Sequence, residues 1–134
     1  MNFAANNEFS KDASPTAIAD LVLGLFPKIE GEGAAFYCSA IRAGVISVAR
    51  ACAASDIAMT KYRLIHLMTG CGALDDLLRK VGVAKGSESR EYSEFSFFLN
   101  QYRDGMGRPV NMQKIKFIFG GMVGRLVVQE QKAA

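Results

Sequence analysis

Residues 34–54 read AAFYCSAIRAGVISVARACAA, and this stretch decides the fold. Tyr37, Ile41, Val45, Val48 and Cys52 recur at the spacing of one helix face, while Ala40, Gly44, Ser47 and Ala51 line another. Both faces are expected to be buried, with Arg42 and Arg50 marking the outer side. Small side chains let a second helix approach closely, so the segment is expected to be the central helix around which the rest packs.

Helical patterns continue on both sides of it. Upstream, Ser14 followed by Pro15 is a helix start: the serine oxygen can accept an orphan amide hydrogen, and the fixed φ of proline suits the first turn. Ile18, Leu21, Val22 and Leu25 then share a face, Pro27 is expected to end the helix, and Gly31-Glu32-Gly33 forms the connection. Downstream, Ser55-Asp56 is expected to cap a helix running to about Met68, which Gly70-Cys71-Gly72 ends. Leu74, Leu77, Leu78 and Val81 build a short helix finishing near Gly82. After the loop at 85–90, Tyr92, Phe95, Phe98, Leu99 and Tyr102 give an aromatic-faced helix closed by Gly105 and Gly107. The last helix is expected from about Asn111 to Gln129, with Ile115, Ile118, Phe119, Met122, Val123 and Leu126 inward. Gly120 and Gly124 stand one turn apart on another side, a spacing that permits close contact within the core or with a second subunit.

The totals agree with one all-α domain, a compact bundle of five to six helices. The chain has 134 residues, 50% hydrophobic and 22% charged, enough apolar material to repay the entropy of folding. Residues 1–13 lack any period and are expected to be a flexible arm, residues 14–129 the helical domain, and 130–134 a frayed end. Residues 1–56 carry four Lys/Arg against six acids and residues 57–134 twelve against seven, so the halves differ as −2 and +5. The basic surface therefore belongs to the second half.

Catalytic chemistry finds little support. Cys38, Cys52 and Cys71 show no CxxC spacing and only His66 could join them, so neither a disulfide framework nor a metal site is expected, and the chain has no cofactor motif. His66 has no evident acid partner, and Asp75 and Asp76 point apart on their helix, where Asp75 suits the positive N-terminal end. A non-enzymatic protein is expected. With no signal-like N-terminus and apolar runs broken by Arg42, Arg50, Lys116 and Arg125, no membrane insertion is expected and the cytoplasm is the expected location.

Two binding roles remain. Abundant apolar helix faces without catalytic groups point to a protein-interaction module, an adaptor or accessory subunit that associates with another protein or with itself as a dimer. Gly120 and Gly124 are its candidate helix-interface residues. The alternative is a DNA-binding accessory or transcriptional regulator with a degenerate helix-turn-helix at about 48–67. There Ala53 would hold the turn, Met59 and Tyr62 would face inward, and Thr60, Lys61 and Arg63 would face outward. Arg103 and Arg108 flank a glycine-punctuated loop, RDGMGRPV, that is either an anion or acidic-partner site or only a helix connection. Lys114 and Lys116 complete the candidate contacts for a partner or nucleic acid.

Overall fold

The computed structural model describes Phe9, residues 13–25 and residues 33–133, with residues 129–133 described for their backbone alone. Among the described residues six helices follow one another: α1 (Pro15–Leu23), α2 (Ala34–Ala54), α3 (Lys61–Thr69), α4 (Ala73–Lys85), α5 (Arg90–Asn100) and α6 (Met112–Ala133). The fold is an all-α bundle. The central role expected for the alanine-rich segment holds, since α1, α4, α5 and α6 all pack on α2.

Local chemistry explains most helix boundaries. Ser14 accepts from the Ala17 amide at 3.1 Å, Thr60 from Arg63 at 2.9 Å and Ser89 from Tyr92 at 3.1 Å, so a hydroxyl caps three of the six helices. Asn111 Oδ1 caps the last helix by accepting from the Gln113 amide at 2.9 Å. Gly33 and Gly72, with φ of 82° and 78°, turn the chain into α2 and α4 through a left-handed conformation that a side chain would strain.

Several expected boundaries move, each for a physical reason. α1 ends at Leu23, and its buried residues are Ile18, Ala19 and Val22; Leu21 falls to the flank and is 53% exposed. Pro27 lies outside the described residues, as does the expected arm at 1–13 apart from Phe9 and Ala13. Phe9 is buried in the core. Ser55 and Asp56 do not cap a helix. Ser55 closes α2, donating its hydroxyl to the Ala51 carbonyl at 3.0 Å, and Asp56 turns the chain at φ 56°. Ile57 and Met59 then lie against the core, drawing residues 57–59 out of helical conformation before Thr60 restarts it.

Gly82 does not end α4. Its position is set by the ring of Tyr92, which would lie 3.1 Å from an added Cβ, and the chain leaves the helix at Gly86, φ 95°. The aromatic helix stops at Asn100, before Gly105 and Gly107. α6 runs on to Ala133, past Gln129 and through most of the segment expected to fray; Ala134 is outside the described residues.

One cluster of buried side chains joins all six helices. Val45 and Val48 of α2 meet Leu64, Leu74, Leu99, Ile115, Phe119 and Met122 in a fully enclosed centre. Each such side chain contributes about 1.5–3 kcal/mol by leaving water. Phe119 is the aromatic hub, with Tyr102 and Phe98 at centroid distances of 5.7 and 6.5 Å.

Candidate protein-interaction surface

The core uses only part of α2. Ile41, Val45, Val48 and Cys52 face inward, while Phe36, Ala40, Ala43, Ser47, Arg50 and Ala54 form a second stripe at alternating four- and three-residue steps. Short side chains make this stripe a valley. Its walls are α5 on one side and, toward the start of α2, the first turns of α6.

Two hollows lie along the valley. One, about 700 Å³, is floored by Ala51, Ala53 and Ala54 and walled by Phe95 and Phe97. The other, about 500 Å³, is floored by Ala40 and Ala43 and bordered by Phe36 and Phe117. Three phenylalanines rise from the rims, Phe36 at 60% exposed, Phe97 at 73% and Phe117 at 71%. Tyr37 holds two of them together, its ring centroid 5.4 Å from Phe36 and 6.1 Å from Phe117.

Charge differs between the two ends. Glu91 and Glu94 stand at the larger hollow with Arg50 and Lys85, and Glu94 is also paired with Arg90 at 2.8 Å. Lys114 is the charged group of the smaller hollow. By length and composition alone α2 also reaches the minimum for a bilayer span, and 39% of that apolar window is buried. Much of this long apolar helix is therefore left uncovered by the fold.

The candidate contact residues separate into distinct groups. Thr60 spends its hydroxyl oxygen on the cap, and α3 packs on α4 and α6 rather than α2. Tyr62, expected inward, is 54% exposed. The segment 48–67 is thus two helices parted by residues 55–60, a longer connection than the three- to four-residue turn of a helix-turn-helix. Arg63 is exposed and Lys61 half-exposed. Arg63 also joins His66 and Lys80, neither singled out beforehand as a contact, around a small hollow of about 60 Å³ that includes Asp76 and Cys52. Burial pushes the Cys52 thiol up to about 11, against the opposing pull of Arg63 and Lys80.

The RDGMGRPV loop is a structural knot. Arg103 Nη2 lies 2.7 Å from Asp75 Oδ1, with the two side chains only 12% and 24% exposed. Its other guanidinium nitrogens donate to the Arg108 carbonyl at 2.7 Å and to Asn100 Oδ1 at 3.1 Å. Asp75 Oδ2 accepts from the Val110 amide at 3.0 Å, and Lys114 Nζ donates to the Arg103 carbonyl at 3.1 Å. Arg103 and Lys114 thus both donate within the loop, the arrangement of the helix-connection alternative. Asp104 takes both of its contacts from α6 and the turn before it: Asn111 Nδ2 donates at 2.9 Å and Lys114 Nζ lies 3.3 Å away, holding its carboxyl below the ordinary value. Arg108 and Lys116 are exposed, and Arg108 belongs to this knot through its carbonyl.

Gly120 and Gly124 make no close contact inside the fold. An added Cβ would meet only Lys116 Cγ, at 3.5 Å, in the first case and open space in the second. Among the described residues no three His, Cys, Asp or Glu side chains gather where one metal ion would bind, and all three cysteines are free. No family model matches the chain, and neither a curated protein nor a solved structure is significantly similar to it.

Proposed function

We propose that the chain is a non-enzymatic helical interaction module, an accessory protein that works by self-association through the valley on α2. The observation that carries this reading is the set Phe36, Phe97 and Phe117, largely exposed around an alanine floor. Contiguous apolar surface of this kind is costly in water and is characteristic of interfaces. Three free cysteines suit the reducing cytoplasm as its place of work. Light scattering across a dilution series tests the reading: the expected mass doubles as concentration rises, whereas a mass that stays monomeric at the highest concentration opposes it.

A second reading, nucleic-acid binding, is favoured by Arg63, His66 and Lys80 around one hollow, with Lys61 on the same helix as Arg63. Phosphate contacts release counterions, so such binding would weaken steeply with salt. A gel shift at low salt that diminishes in Lys61→Ala/Arg63→Ala supports this reading, and no shift at low salt opposes it.

A further inference from the structure

Three nitrogen-bearing side chains converge where α3 meets α4. Arg63 and His66, one turn apart on α3, and Lys80 of α4 border the hollow of about 60 Å³. Among the described residues no carboxylate pairs with Arg63 or Lys80, whereas Arg42, Arg79, Arg90, Arg103 and Lys114 are all paired. We infer that this hollow is the seat of one terminal phosphate group, a phosphate monoester or inorganic phosphate, with Arg63, His66 and Lys80 as its donors. The assignment takes its hollow from the nucleic-acid reading above but calls for a phosphate end rather than a strand backbone.

Apolar packing builds the base of the seat. Cys52, Leu67, Ala73 and Leu77 line the hollow and are all buried. A contact made against such a base lies partly out of water, where Coulomb attraction is stronger. Arg63 and Lys80 both oppose the effect of burial on the Cys52 thiol, so both charges lie near that base rather than reaching away from it. His66 is held over Gly70, where an added Cβ would stand 3.2 Å from the ring's Cε1 and 2.8 Å from the His66 carbonyl oxygen. The missing side chain leaves the space that the imidazole occupies.

Size and charge select the ligand. One water needs about 10–15 Å³ of such space, so about 60 Å³ admits a group of about five heavy atoms, a phosphate rather than a nucleoside. A phosphate end carries about −1.5 to −2 charge at pH 7 and three acceptor oxygens, which suits three donors gathered at one point. A backbone phosphodiester carries a single charge, recurs along its strand and is gripped by cations spaced along a track. Asp76 also borders the hollow and repels any anion there; its pairing with Arg79 at 2.5 Å offsets part of that repulsion.

His66 is the sole histidine of the chain, so its ring signals report on the hollow directly. Proton NMR at fixed pH and ionic strength follows them as inorganic phosphate, phenyl phosphate or dimethyl phosphate is added. The expected result is a saturable shift with the first two and a Kd about tenfold or more weaker for the diester. A lower Kd for phenyl phosphate assigns the seat to a monoester and a lower Kd for inorganic phosphate to the free ion; both uphold it. Arg63→Gln and Lys80→Gln should each raise the phosphate Kd about tenfold, as loss of a charged hydrogen bond implies, and Asp76→Asn should lower it. All three positions are exposed, so the circular dichroism spectrum should not change. A shift that never saturates, or an unaltered Kd in Arg63→Gln, overturns the assignment. Equal affinity for the diester overturns it as well and indicates a backbone site. A gel shift with DNA but no phosphate response removes this seat and leaves nucleic-acid binding standing, whereas a phosphate response without a gel shift upholds the seat and removes nucleic acid.

Discussion

A Cβ added at Gly44 would stand 2.4 Å from Cε1 and Cζ of Phe119, so α2 and α6 come together where a side chain is missing. Gly44→Ala forces the ring or the helices to move. The gain in helix propensity, about 1 kcal/mol, offsets only part of an overpacking penalty of about 1–3 kcal/mol. Urea unfolding should show a net loss of up to about 2 kcal/mol, relieved in the double variant Gly44→Ala/Phe119→Leu. Equal or greater stability of Gly44→Ala would show that the contact is loose.

The Asp75–Arg103 pair ties α4 to the loop before α6 in a largely enclosed position. Removing one partner leaves the other charge poorly solvated, so Arg103→Ala should cost about 2–4 kcal/mol. Asp75→Asn keeps an acceptor for the Val110 amide and should cost less than Asp75→Ala. A double-mutant cycle by chemical denaturation measures the coupling, and additive single losses would contradict it.

Asp104 titrates below its ordinary value of 3.8, first because Asn111 donates to it and then because Lys114 does. A folded pKa below the unfolded one means that the stabilisation is complete above the unfolded value and vanishes as pH falls through the folded value. Asp104→Asn should therefore flatten the acid limb of the stability profile below about pH 4. Urea midpoints between pH 2 and pH 6 check this, and parallel profiles for the two proteins would refute it.

Thiol chemistry should report burial directly. Cys71 is exposed, while Cys52 is enclosed and its thiol is raised to about 11. An aromatic disulfide reagent at pH 8 should modify Cys71 promptly and Cys52 only on unfolding. Because the folded pKa of Cys52 exceeds its unfolded value of 9.0, its protonated form contributes stability that is full below pH 9.0 and declines as pH rises toward about 11. Prompt modification of Cys52 in the folded protein would place it outside the core.

Much of the bundle is legible in the residues because helical periodicity is a local signal. The bounds of α2, the Ser14 cap and the inward set Ile115, Phe119, Met122 and Leu126 follow from spacing alone. The boundary at Thr60 does not, since the extended run before it depends on Ile57 and Met59 finding the core. Asp75 likewise looked like a helix-end charge, because its partners Arg103 and Val110 are distant in sequence. The valley was hidden for another reason. Arg50 reads as an outer-side marker and Ala40 as part of a buried face, whereas α5 and the start of α6 make them neighbours in one groove.

A charge at the centre of that groove tests the role of α2 most directly. Ala43 is exposed in the single chain, so Ala43→Glu should leave the circular dichroism spectrum and dilute-solution melting unchanged. Sedimentation equilibrium should then show a reversible dimer for the wild type and a monomer for Ala43→Glu at equal concentration. Identical association of the two proteins would contradict pairing through the α2 valley.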